Sequence, residues 1–499
     1  MRPVSSLPAD LPDEVGWFYI FKKICALAVP ISFQWLIGMG QWLVPFFFLG
    51  HVSSAALGGY ALGNMFCNFT GNAITIGFLS NMSSLNSQAF GAKNAELYAL
   101  YTQRNVCICT IGSFVIGLIW YSVPSYLLLS LGVEEDARTF AIRFCRYMII
   151  SLWPSYMYEL QKEYLQNQKL VYFPSFIQIP MVALNAGVNY FYIHRIGFDA
   201  AAIGLVSSNI FGCLALFIYI CCAKLNLPSY SELFCSKSPF VGWGEIFRLG
   251  VPGALMMMMD WGCFEVNTAF AGRLGDETLA AHSLLVQVVS VSYMIPLGIS
   301  TATQIVIGQK LGEGNYQNAR KASVIGVFSC ALCSSFAMLI LYVLRKQYFH
   351  LVTSSVDAID IASKTMVYAI VFEVFDGICN GLQGVFKGIG KQNIAWKYML
   401  GQPFIGLPTG YYLCFQFKFG LVGIWLGMII AVLIVSSCLV FLWYCVDWEH
   451  EQKLIADRVK VDENVCADAD IQARQNCLNR VNRVSHHSIA GDEVDYLLL

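Results

Sequence analysis

Between Ile24 and Val446 the chain carries about twelve stretches of roughly 20 mostly apolar residues, the length an α-helix needs to cross the hydrocarbon of a bilayer. They cover residues 24–49, 55–86, 105–130, 139–160, 172–194, 200–223, 246–272, 278–308, 322–344, 364–386, 396–417 and 419–446. A backbone in lipid must satisfy its own hydrogen bonds, so the fold expected is all-α and polytopic. Composition agrees, since 57% of the residues are hydrophobic and 13% charged, about half the charged share of a soluble domain. That excludes a soluble multidomain enzyme. A formal charge of −1 leaves no basic field to hold nucleic acid. No His, Asp or Ser constellation gathers at one interface, so no enzymatic activity and no catalytic residue is expected.

The polar ends frame these spans. Residues 1–23 place Asp10, Asp13, Glu14 and prolines Pro3, Pro8 and Pro12 ahead of any apolar run, unlike a cleaved leader. With that end inside, 22 of the 31 Lys and Arg fall on the cytoplasmic side and 9 outside, which sets both termini in the cytoplasm. Residues 224–245 read as a cytoplasmic loop between two halves. Residues 447–499 read as a largely disordered cytoplasmic tail with one short helix. The tail ends Glu493-Val494-Asp495-Tyr496-Leu497-Leu498-Leu499, a pattern like an acidic dileucine signal. Most of the 18 cysteines sit in apolar runs, among them Cys107, Cys109, Cys221, Cys222, Cys330 and Cys333. Without paired Cys-x-x-Cys sets they read as lipid-embedded thiols, not a metal site. Asn68-Phe69-Thr70 and Asn81-Met82-Ser83 match the glycosylation pattern but lie inside the second span, out of reach of glycosyl transfer.

A displacement of about 221 residues superimposes one half of the sequence on the other. Leu27-Ala28-Val29-Pro30 meets Leu249-Gly250-Val251-Pro252; Gln88-x-x-Gly91-x-x-Asn94 meets Gln309-x-x-Gly312-x-x-Asn315; Tyr190 meets Tyr411, and Ala202-Ile203 meets Gly423-Ile424. Six spans per copy is an even number, so both copies share one orientation and are related by an axis along the membrane normal. Residues 24–223 and 246–446 are the two six-helix lobes. Ten of the 15 prolines fall inside the spans, which suits bent helices around a central cavity.

The loops carry a resemblance. Ile307-Gly308-Gln309-Lys310-Leu311-Gly312-Glu313-Gly314-Asn315 with Ala319-Arg320-Lys321, and Ser87-Gln88-Ala89-Phe90-Gly91-Ala92-Lys93-Asn94, are similar to the loops after the eighth and second helices of the multidrug and toxin extrusion (MATE) family. So are Met259-Asp260-Trp261 through Phe264-Glu265, and Gly384-Val385-Phe386-Lys387-Gly388-Ile389-Gly390-Lys391-Gln392. The resemblance spans residues 24–446 and is closest to the animal branch. It implies a two-lobed, V-shaped, multi-pass transporter of the plasma membrane that exports small organic cations or xenobiotics by alternating access in exchange for protons. It implies a monomer with no cofactor beyond the proton gradient, sodium being the alternative ion. A lipid or other-solute flippase is the further alternative. The major facilitator class shares the two parallel halves, but the loop after its second helix is rich in Asp and Arg, where this chain has Gln88-x-x-Gly91. The chain departs from the family in having Asp260 and Asp376 where Glu is usual, and Gly262 where a second Trp is usual.

Only four acids lie well within the spans: Asp260, Glu265, Glu373 and Asp376. Each charge at mid-bilayer costs about 2.5–3.5 kcal/mol on insertion scales. Asp260 and Glu265 are separated by about 7.5 Å along a helix and about 140° around it, so one narrow stripe cannot hold both without distortion. Glu373 and Asp376 share a face. Burial and like-charge repulsion suit such carboxylates to hold a proton near neutrality and give it up to an arriving cation. Asp260, Glu265 and Asp376 are the expected coupling residues. Gln34, Asn68, Trp261, Phe264, Tyr293 and Glu373 are the expected substrate-cavity residues, the aromatics offering π faces to a cation. No Lys or Arg lies deep within span seven or ten to neutralise the acids. Glu159 and Glu163 read as solvated near the cytoplasmic end of span four, and His51 and His282 as lying near the extracellular interface.

Overall fold

The computed structural model describes residues 16–50, 52–130, 135–223, 240, 242–353 and 355–461. Among them run twelve helical columns. The first six are α1 (Trp17–Gly38, continued by Gly40–Leu49), α2 (Ser54–Cys67 and Ala73–Gly91), α3 (Ala95–Ser130), α4 (Glu135–Asn167), α5 (Tyr172–Phe176 and Gln178–Ile196) and α6 (Asp199–Cys222). The second six are α7 (Trp243–Gly272), α8 (Asp276–Gly312), α9 (Tyr316–Val343), α10 (Val356–Ile389), α11 (from Gln392–Met399 to Tyr412–Gln416) and α12 (Leu421–Tyr444). Seven helices, two of them joining adjacent segments, are long and apolar enough by themselves to span a bilayer. The other columns are more polar or are interrupted. π-helical turns break α2 at Asn68–Asn72 and α11 at Gln402–Gly406 and Tyr412–Gln416, the kind of local widening that often marks a functional segment.

The repeat read from the sequence recurs in the backbone. Three lysines adopt left-handed φ, Lys93 (56°), Lys169 (66°) and Lys418 (58°), and at the repeat offset each faces a left-handed glycine: Gly314 (78°), Gly390 (83°) and Gly197 (61°). The same turns are thus built twice. Close packing repeats as well. A Cβ on Gly91 would lie 2.1 Å from the Gln309 carbonyl oxygen, and one on Gly312 would lie 2.1 Å from that of Gln88. Ser87 and its counterpart Gly308 touch each other, since a Cβ there would sit 1.9 Å from Ser87 Oγ. Equivalent residues in mutual contact mark the pseudo-twofold axis.

Two apolar cores follow, one per half, but each is completed by the first helix of the other. Ile20, Ile24, Leu27, Ala28 and Ile31 of α1 are buried in the C-terminal core. Ile246 and Leu249 of α7 are buried in the N-terminal core. This exchange joins the lobes at the end of the molecule that carries the start of α1. There Gln88 Nε2 donates to the Gly388 carbonyl (3.1 Å), Gln304 Nε2 to that of Ser80 (3.1 Å), Gln309 Nε2 to that of Asn167 (2.9 Å), and Gln392 Nε2 to Ser84 Oγ (2.8 Å). The seam is closed by amide side chains and by glycines that let the backbones meet.

The fifteen cysteines among the described residues are free, and no metal-ligating cluster occurs among those residues. Asn81 is buried and exchanges amide hydrogen bonds with Asn105, in keeping with a structural role. Residues 448–461 form the short tail helix. The dileucine pattern, His51 and most of the 224–245 loop lie outside the described residues.

Candidate functional site

The sequence places polar residues on apolar helices in two groups, one in each lobe. In the N-terminal lobe they surround a cavity lined by all six of its helices, α1 to α6, and bounded by Trp261 and Met294 of the other lobe. Gln34 is its central side chain. Gln166 Nε2 donates to Gln34 Oε1 (2.9 Å), Gln34 Nε2 donates to the Tyr158 hydroxyl (3.2 Å), and that hydroxyl donates to Gln178 Oε1 (2.7 Å). Below this chain Glu159 and Lys162 form an ion pair one turn apart on α4, with Lys162 Nζ 4.6 Å from the centre of the Trp35 ring. Trp42 and Trp261 meet edge to face across the lobes, their centroids 6.3 Å apart. The cavity has aromatic walls, an amide relay and one balanced charge pair.

In the C-terminal lobe the acids lie in packed surroundings. Asp260 is buried on α7 and accepts a hydrogen bond from Gln383 Nε2 of α10 (3.0 Å). Asp376 is buried on α10 and accepts one from Asn380 Nδ2 (3.3 Å). Glu373, one turn further along the same face, is fully buried beside the hydroxyls of Ser292 and Ser334. Tyr293 stands within electrostatic reach of both Asp260 and Asp376. Phe264 packs edge to face on Phe372 (5.7 Å) and, with Asn267 and Gln402, lines a small crevice of its own.

The expected site residues therefore divide. Gln34 and Trp261 line the main cavity; Asp260, Asp376, Glu373 and Tyr293 gather behind it in the C-terminal lobe. Asn68 sits at the start of the α2 π turn and reaches the cavity only through Asn72, whose Nδ2 donates to its Oδ1 (2.7 Å). Glu265 does not join Asp260. Helix α7 runs without a π turn, so the 140° separation persists and Glu265 remains on an exposed face while Asp260 is buried. His282 is fully buried against Trp425 (5.9 Å) with neither ring nitrogen partnered.

Three features were not anticipated. Glu159 lines the cavity in its pair with Lys162, and Glu163 has a buried oxygen without a partner, so neither is a simply solvated residue. Lys387 belongs to α10, one residue beyond the expected span, and is 8% exposed. It is electrostatically linked to Asp260 in its own lobe and to Glu163 in the other, so the acids do have a cation in reach. The i,i+3 spacing of Glu159 and Lys162 was the available signal for the first of these; for Lys387 it was the continuation of the helical pattern past residue 386.

Comparison with known proteins agrees with this architecture. The sequence pattern of the MatE family matches residues 30–191 and 252–412, one copy in each lobe. The chain is 26% identical over 462 residues to multidrug and toxin extrusion protein 1 of Danio rerio, covering 92% of this chain and 77% of that protein. It is 28% identical over 412 residues to multidrug and toxin extrusion protein 2 of Mus musculus, covering 82% and 71%. Among solved structures, the eukaryotic MATE transporter AtDTX14 superposes with a TM-score of 0.83 at 22% identity, over 89% of this chain and 100% of that one. The bent form of the Vibrio cholerae transporter VcmN superposes with a TM-score of 0.74 at 18% identity, over 88% and 99%. With both halves matched in order and the two-lobed helical fold shared, the chain belongs to the MatE family of multidrug and toxin extrusion transporters.

Proposed function

We propose that the chain exports organic cations or xenobiotics in exchange for protons by alternating access. The observation that carries this reading is the group of buried acids behind an aromatic cavity, Asp260 and Asp376 held by amide donors with Glu373 buried beside them. A buried carboxylate favours its neutral form until a cation approaches, so proton and cation compete for the same charge. Asp260 and Asp376 are the coupling pair. Glu265, on the exposed face of α7, acts at the entrance to this group, and Glu373 adds a third buried carboxyl beside Asp376. Trp261, Tyr293 and Phe264 offer the π faces, and Gln34 and Asn68 the polar contacts, that orient a flat cation.

The protein works as a monomer in the plasma membrane with both termini cytoplasmic and without a cofactor. In that orientation the closed seam faces the cytoplasm and the arrangement is the outward-facing one. The test is counterflow of a fluorescent organic cation in proteoliposomes under separately imposed proton and sodium gradients. Uptake driven by an outward proton gradient supports the reading. Drive by sodium alone would replace the proton with sodium at the same carboxylates, and no drive by either gradient would sink ion exchange.

A further inference from the structure

The tail helix, residues 448–461, lies across the closed seam. Asp447 starts it, its Oδ1 accepting from His450 N (3.1 Å) as an N-cap. Its exposed side carries Glu449 and Lys453, paired with each other (2.8 Å). The opposite stripe, Trp448, Glu451, Gln452, Ile455, Arg458 and Val459, follows helical spacing and faces the transporter. Trp448 and Ile455 are buried in the C-terminal core, at 6% and 1% exposure. Glu451 pairs with Lys391, just past α10, and Gln452 Oε1 accepts from the backbone N–H of Tyr316 at the start of α9 (2.9 Å). These contacts anchor the helix on one lobe.

Its far end reaches the other. Arg458 Nη1 donates to Gln88 Oε1 of α2 (3.4 Å), and Arg458 Nε pairs with Glu245 (3.1 Å) in the first turn of α7, the turn that packs into the N-terminal core. Val459 packs on that same core. Gly390 leaves room for the guanidinium, since a Cβ there would lie 3.1 Å from Arg458 Nη1. Gln88 is also a seam residue, bonded to the Gly388 carbonyl.

We infer that the tail helix is a strap: fixed on the C-terminal lobe by Trp448, Ile455 and Glu451, it clips the N-terminal side through Arg458 and Val459 and holds this end of the transporter shut. The anchor is apolar and deep, whereas the clip is one arginine and one half-buried valine. Opening the seam therefore releases the clip and leaves the anchor in place. The strap biases the alternating-access equilibrium toward the state closed at this end, whatever ion or substrate drives the cycle.

Hydrogen exchange read by mass spectrometry on the full chain in nanodiscs tests this. Arg458→Gln, and separately truncation after Asp447, should speed exchange at least threefold in seam peptides covering residues 84–92 and 304–313. Peptides covering residues 97–105, away from the seam, should keep the parent rate, and so should the whole chain carrying Lys453→Gln on the strap's outer face. Unchanged seam exchange in both variants overturns the strap. Acceleration throughout the chain overturns it too, because it would show that the helix supports the whole fold and not the closure.

Discussion

Helices α4 and α10 occupy the same place in the two repeats and present the same face inward, yet they carry opposite chemistry. At the repeat offset Leu152 and Ser155 stand where Glu373 and Asp376 stand, Glu159 and Lys162 stand where Asn380 and Gln383 stand, and Gln166 stands where Lys387 stands. The N-terminal face holds an internally balanced pair beside a cavity; the C-terminal face holds two acids in packed surroundings with amides below them. The repeat preserves backbone, turns and seam contacts because those set the geometry of closure. It leaves the inward side chains free to diverge. One lobe can then specialise in ion binding while the other shapes the space a substrate meets.

The sharpest way to break this division is to remove charge from each side in turn. Asp260→Asn should cut proton-driven counterflow by roughly 100-fold, about 2.7 kcal/mol of lost ion binding. Glu159→Gln should leave coupling intact. If the two variants lose transport equally, the ion site is not confined to the C-terminal lobe. Sterics at the axis give the next largest effect. Gly91→Ala and Gly312→Ala each drive a methyl into a carbonyl oxygen 2.1 Å away, and overpacking of this kind costs about 1–3 kcal/mol. Turnover should fall about tenfold in both, and by the same factor, because the contacts are twofold-related. Unequal losses measured in the same vesicles would show that the closing motion is not symmetric.

Lys162→Gln tests whether substrate meets the N-terminal cavity. The ammonium over Trp35 contributes about 0.5–2 kcal/mol, and its loss frees both the ring and the Glu159 carboxylate. The apparent KM for an organic cation should fall several-fold with the maximal rate little changed. A change in maximal rate alone would instead place Lys162 in the conformational step.

Much of this was legible because it is periodic. Twelve apolar runs, their repeat and the cost of burying Asp260, Glu373 and Asp376 are written in spacing and residue type. The edges were harder to read. Span ten was expected at 364–386, whereas α10 runs Val356–Ile389, because helices continue into polar turns beyond the hydrocarbon; that shortfall hid Lys387. The Glu159–Lys162 pair resembles a solvated helix face until Trp35 and Gln34 fold over it. The role of residues 448–461 depends on Lys391, Glu245 and Gln88, which are distant in sequence, so a polar amphipathic segment could be read only as a tail with a short helix.

The smallest expected effect lies in the three left-handed lysines. A non-glycine residue there costs about 1–2 kcal/mol, part of which a glycine returns through its freer unfolded chain. Lys93→Gly and Lys418→Gly, which copy the partner repeat, should each raise stability by at most about 1 kcal/mol. Lys169→Gly carries a second effect. Burial, with Lys310 nearby and only partly offset by Glu313, holds the Lys169 ammonium below its usual pKa of 10.5. A base with a lowered folded pKa opposes folding in full while it is protonated in both states. That penalty fades as pH rises from the lowered folded value toward 10.5. Melting in detergent should therefore show a gain for Lys169→Gly that is largest near neutral pH and shrinks with alkalinity. A gain independent of pH would assign the whole effect to backbone strain, and the two repeats would then differ at this turn in conformation alone.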